Sequence, residues 1–135
     1  MDRIFLDANI LYSAAYLELA SLAGLWSLDD AKLLSSAYAI EEARRNLAAD
    51  RTEALPRLKR LVEAVSTVDA PQGLKLPSNI RLDQKDQPIL LAAIHGNADY
   101  LLTGDARHFE HRYGRRIEGV LVLRPAQYFE HRRLP

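Results

Sequence analysis

Residues 4–11, Ile4-Phe5-Leu6-Asp7-Ala8-Asn9-Ile10-Leu11, carry the decisive reading of this sequence. Three large apolar residues in a row suit a short strand buried on both faces. The run stops at an acid and passes into a stretch rich in Leu and Ala. The same order returns at Tyr100-Leu101-Leu102-Thr103-Gly104-Asp105, where a second apolar run breaks just before an acid. Asp7 and Asp105 therefore both stand past the carboxyl end of a strand. In open parallel α/β sheets that edge is where ligands bind.

Working outward, further strands are expected at residues 32–34, 66–68 and 120–123. Helices are expected at 9–23, from a Ser36 cap to 49, and at 52–65, 88–95, 105–111 and 125–132. Pro56 is compatible with a helix because it lies in the first turn, and Gly96-Asn97 is the pair expected after a helix ends. Residues 70–85 hold Pro71, Gly73 and Pro77 and read as a loop within one fold. Alternating strands and helices predict one α/β domain over residues 1–135, a three-layer α/β/α sandwich around a mostly parallel central sheet. Phe-Glu-His-Arg occurs at 109–112 and again at 129–132, which is too short to be a repeat.

The 135 residues suffice for one domain with a real core, and the composition, nearly half hydrophobic, is globular and not disordered. A formal net charge of zero excludes a chain-wide field toward nucleic acid or membrane. The segment after Asp105 is nevertheless basic, with Arg107, Arg112, Arg115, Arg116, Arg124, Arg132 and Arg133 against Glu110, Glu118 and Glu130. A basic end opposite clustered acids suits a phosphate backbone approaching a metal site; a solvated surface of mixed charge is the plainer alternative. The absence of cysteine excludes disulfide and thiolate chemistry. No long apolar stretch of a signal peptide or membrane span opens the chain, and a soluble cytoplasmic protein is expected.

Two more acids sit where apolar runs meet turns or helices, Glu42 and Asp86. Ala39, Ile40, Ala43 and Leu47 define the apolar face of their helix. At about 100° per residue Glu41 falls opposite that face, while Glu42 falls on its flank beside Asn46. Glu42 is thus favoured over Glu41, with a surface pair to Arg45 or Asn46 as its alternative role. Asp86 and Asp105 can each cap the helix they precede, and a cap can also ligate a metal. Asp83 is the near neighbour of Asp86 should the register differ. Asp99 precedes its strand and stands more than about 10 Å from the favoured edge, so it is left out.

With these acids in place the chain resembles the PIN-domain family, metal-dependent nucleases that include VapC-like toxins. The resemblance rests on residues 4–11, on Glu41-Glu42-Ala43-Arg44-Arg45-Asn46-Leu47, on Lys85-Asp86-Gln87-Pro88-Ile89-Leu90-Leu91-Ala92-Ala93, and on Ala98 through Asp105. It implies one or two Mg²⁺ or Mn²⁺ ions on Asp7, Glu42, Asp86 and Asp105, with Asn9 and Thr103 orienting the carboxylates. All-oxygen ligation is consistent with those ions over zinc. The implied activity is that of an endoribonuclease hydrolysing RNA phosphodiester bonds with metal-activated water. The resemblance further implies the toxin of a type II toxin–antitoxin pair, with an antitoxin protein as partner and a homodimer as assembly.

Two other readings compete. Haloacid-dehalogenase-like phosphatases also open with a strand ending in Asp, but they need a second acid where this chain has Asn9. A PIN-like module that grips RNA or a protein without cutting is the reading from a different class. His108 and His111 stand three apart and are expected at the surface rather than on zinc. Tyr16, Trp26 and Tyr38 are expected to pack rather than to stack on bases.

Overall fold

The computed structural model describes residues 1–17, 20–77, 80, 82, 84–104 and 116–133. In chain order the elements are β1 (Asp2–Leu6), α1 (Ala8–Leu17), α2 (Ala20–Trp26), β2 (Ala31–Ser35), α3 (Ala37–Asp50) and a 3₁₀ turn (Thr52–Ala54). There follow α4 (Leu55–Glu63), β3 (Ser66–Thr67), α5 (Gln87–His95), β4 (Tyr100–Leu102), β5 (Arg116–Ile117), β6 (Val120–Leu123) and α6 (Pro125–Arg133). The strands form one sheet in the order β3-β2-β1-β4-β6-β5, parallel except for the β5–β6 hairpin.

Because side chains alternate along a strand, each strand feeds both faces of the sheet. Ile4, Leu6, Leu33, Leu102, Leu121 and Leu123 point into one core with residues of α1, α3, α4 and α6. Phe5, Leu34, Leu101 and Val122 point into the other, against Ile89, Leu90, Ala92 and Ala93 of α5. Two cores on opposite faces of one mostly parallel sheet make the expected three layers.

Local sequence explains most of the boundaries. Ser36 caps α3, its side chain accepting from Ala39 N, and Pro56 occupies the first turn of α4. Helix α5 ends at Gly96, where an added Cβ would come within 2.8 Å of Val68 Cγ1. Asn97 then turns the chain with φ of 54°. The last turn of α1 is held by two arginines from beyond α3, Arg51 donating to the Tyr16 carbonyl at 2.6 Å and Arg57 to that of Ala15.

The structure corrects the expected elements at several points. The helix expected at 9–23 is described as α1 and α2, and α2 runs on to Trp26. The helix at 52–65 opens as a 3₁₀ turn and ends at Glu63. Strand β5 was not expected at all; Glu118 (φ 51°) and Gly119 (φ 90°) form the tight reversal that returns the chain as β6. The helix expected at 105–111, with His108 and His111, lies outside the described residues. Among the described residues no helix is long and apolar enough to cross a membrane.

Candidate active site

The chain runs outward from β1 to β2 and β3, then crosses back to place β4 on the other flank of β1. This reversal opens a crevice beyond the carboxyl ends of β1 and β4, the place where such sheets bind ligands. Asp7 leaves β1 into that crevice. Its N–H donates to the Leu102 carbonyl at 3.0 Å, and its own carbonyl accepts from Ile10 N and Leu11 N to start α1. Helix start and strand end together fix the Asp7 backbone.

The side chain is fixed as well. Asp7 is 6% exposed; its Oδ1 accepts from Ala8 N at 2.6 Å and its Oδ2 from Thr103 Oγ1 at 2.8 Å. Asn9 closes the circuit, its amide donating to Thr103 Oγ1 at 3.2 Å and its Oδ1 accepting from Gly104 N at 2.9 Å. Thr103 thus bonds this carboxylate directly, and Asn9 bonds Thr103. Ser35 braces the next strand end, its hydroxyl donating to the Leu6 carbonyl at 2.8 Å.

Glu42 and Asp86 join Asp7 around a cleft of about 240 Å³ whose lining also includes Tyr12, Asn46, Asp50 and Lys85. Asp86 is 7% exposed at the start of α5. Its backbone is already helical and its side chain makes no capping hydrogen bond, so the capping role open to it in sequence is not the one it takes. Glu42 is half-buried, while Glu41 points to solvent and accepts from Arg44 Nε at 2.8 Å. Asp99 is exposed, and its Oδ2 accepts from Arg3 N at 2.8 Å, away from the cleft. Asp105 and Asp83 lie outside the described residues.

Burial is the main cause that pushes the Asp7 carboxyl from its usual 3.8 up to about 6. The Thr103 hydroxyl and the Ala8 N–H pull it back, and the charges of Glu42 and Asp86 raise it further. Such a site resists full ionisation until a cation enters. Among the described residues no three acidic or histidine side chains stand close enough to form a ready-made metal cage. Mg²⁺ needs no such cage, since it takes one or two carboxylates directly and keeps several waters. The all-oxygen donors of this cleft thus suit Mg²⁺ or Mn²⁺ in kind.

Sequence reasoning did not single out Tyr12, Asp50 or Lys85 as cleft residues. Asn46 and Asp50 follow Glu42 at four and eight residues, the same helical face, and that spacing was the available signal. Tyr12 spans the cleft to α3, its hydroxyl donating to Asp50 Oδ2 at 2.7 Å.

A PIN-domain family model matches residues 3–107, and the chain belongs to the PIN-domain family. The fold is similar to that in the crystal structure of VapBC2 from Rickettsia felis bound to a DNA fragment from their promoter. That likeness has a TM-score of 0.67 at 15% identity and covers 90% of this chain and 98% of that one. VapBC-1 from nontypeable Haemophilus influenzae is similar with a TM-score of 0.60 at 16% identity, over 92% of this chain and 98% of that one. Comparison with curated proteins finds no significant match.

Proposed function

We propose that this PIN-domain protein is a Mg²⁺- or Mn²⁺-dependent endoribonuclease. The observation that carries the reading is the convergence of Asp7, Glu42 and Asp86 on one cleft at the sheet's switch point, with Asp7 buried and its carboxyl raised to about 6. Asp7, Glu42, Asp86 and, on the strength of the family resemblance, Asp105 would hold the metal. A divalent ion bound there would supply an acidified water for attack on a phosphodiester. Thr103 aims Asp7 and keeps its ionised form available through the hydroxyl it donates, and Asn9 holds Thr103 in that orientation.

The likeness to two VapBC structures supports a second part of the proposal, that the chain is the toxin of a toxin–antitoxin pair with a small protein antitoxin as partner. A homodimer in the cytoplasm is the assembly and location proposed with it.

The test is cleavage of labelled single-stranded RNA in Mg²⁺, Mn²⁺ or EDTA by the wild type, Asp7→Asn and Asp105→Asn. Cutting should need the metal and should fall by about two orders of magnitude or more in each variant. Cutting that survives EDTA or Asp7→Asn would overturn the reading.

A further inference from the structure

Four carboxylates line the cleft, those of Asp7, Glu42, Asp50 and Asp86, and Lys85 is the one cation among its described lining residues. An RNA strand brings a negative charge with every phosphate. One divalent ion against four ionised acids still leaves the cleft negative, so a bound metal alone does not make it welcoming to a phosphate. A compact ammonium on a flexible stem, with three donors, is suited to meet a phosphate oxygen beside such acids.

The position of Lys85 is built, not incidental. Its carbonyl accepts from the Tyr38 hydroxyl at 3.1 Å, and Tyr38 lies one turn ahead of Glu42 on α3. The next residue, Asp86, starts α5, with Leu90 N donating to its carbonyl at 3.3 Å. The Lys85 main chain is thus tied between the two helices that bring Glu42 and Asp86 to the cleft. Asp86 is buried while Lys85 is exposed, and both line the cleft.

We propose that Lys85 grips a non-bridging oxygen of the RNA phosphate entering the cleft and so positions it over Asp7 and Asp86. The proposal rests on the nuclease reading. Lys85 acts here on the substrate, and it opposes rather than assists cation binding, because it is itself a positive charge beside the acids. Loss of the lysine should therefore move RNA binding and metal binding in opposite directions. A residue that merely shaped the turn would weaken both.

The experiment compares wild type, Lys85→Gln and Lys85→Arg. It measures RNA cleavage in Mg²⁺, binding of labelled single-stranded RNA by anisotropy across a KCl series with Ca²⁺ in place of Mg²⁺, and Mn²⁺ affinity by calorimetry. Lys85→Gln should lower kcat/KM by about tenfold, mainly through KM. It should reduce the salt slope of RNA binding by about 0.7, the share of one phosphate contact on a single strand. Lys85→Arg should restore most of both, and Mn²⁺ should bind Lys85→Gln at least as tightly as wild type. An active wild type with unchanged KM and slope in Lys85→Gln would overturn this inference and leave the nuclease reading standing. A parallel loss of Mn²⁺ affinity would overturn it in favour of a structural role. A wild type that neither cuts nor binds RNA would overturn both.

Discussion

At the amino edge of the sheet Asp2 accepts from the Tyr128 hydroxyl at 2.8 Å and from Arg132 at 3.3 Å, whereas at the carboxyl edge the charged neighbours that perturb Asp7 are Glu42 and Asp86. Arg132 also donates to Asp30 at 2.6 Å, and that hydrogen bond holds the Asp30 carboxyl below its usual range. The carboxyl of Asp7 goes the other way, up to about 6. One edge gathers acids together with the groups that satisfy them and thereby clasps α6 onto the sheet. The other buries an acid among like charges, which costs stability unless a cation comes from outside. Acids of the first kind belong to the fold; those of the second suit the metal proposed for the cleft.

The largest test of this contrast is the stability of the metal-free protein. A carboxyl whose folded pKa of about 6 exceeds 3.8 destabilises the fold when ionised; the full cost is felt above pH 6 and disappears below 3.8. Asp7→Asn should therefore stabilise the protein in EDTA at pH 7 by roughly 2–3 kcal/mol, and the gain should shrink by about half at pH 5. Urea unfolding at the two pH values measures both, and a destabilised Asp7→Asn would break the comparison. Thr103→Val comes next. It removes the hydroxyl that favours the ionised Asp7, so Mn²⁺ affinity should fall by about tenfold or more, read by calorimetry.

The amino edge predicts the reverse. The Tyr128 ring is fully buried, stacked edge-on against Tyr100 with centroids 4.9 Å apart, and its hydroxyl is shared by Asp2 and Arg132. Tyr128→Phe keeps the ring and should cost about 1 kcal/mol of stability, leaving RNA cutting per folded molecule unchanged. Lost cutting at intact stability would show that the two edges are coupled.

What the sequence made legible follows this division. The runs 4–6 and 100–102 are buried but for the half-buried Tyr100, so composition alone marked them as strands and marked the acid or turn behind each as the sheet edge. β5 escaped because two residues, Arg116 and Ile117, are too few to show alternation, and the turn at Glu118-Gly119 was the only signal. The amino-edge clasp was invisible for another reason: Asp2, Asp30, Tyr128 and Arg132 are brought together by the fold from up to 130 residues apart. In the site, helical spacing separated Glu42 from Glu41, but no sequence rule shows whether an Asp ahead of a helix caps it, as Asp86 does not.

The smallest expected effect sharpens that helical argument. Glu41 and Glu42 are adjacent, identical in chemistry and on one helix, yet Glu41 meets Arg44 in solvent while Glu42 lines the cleft. Hydrogen bonding to Arg44 holds the Glu41 carboxyl below its usual range, but an exposed pair of this kind adds little to stability. Glu41→Gln should leave the urea midpoint and the rate of RNA cutting at wild-type values, whereas Glu42→Gln should weaken Mn²⁺ binding. If Glu41→Gln weakened Mn²⁺ binding and Glu42→Gln did not, the helix would have to turn by about 100° to bring Glu41 to the metal. That turn would carry Ala39, Ala43 and Leu47, all fully buried, out of the core. The packing of α3 thus ties the choice of glutamate to the stability of the whole layer.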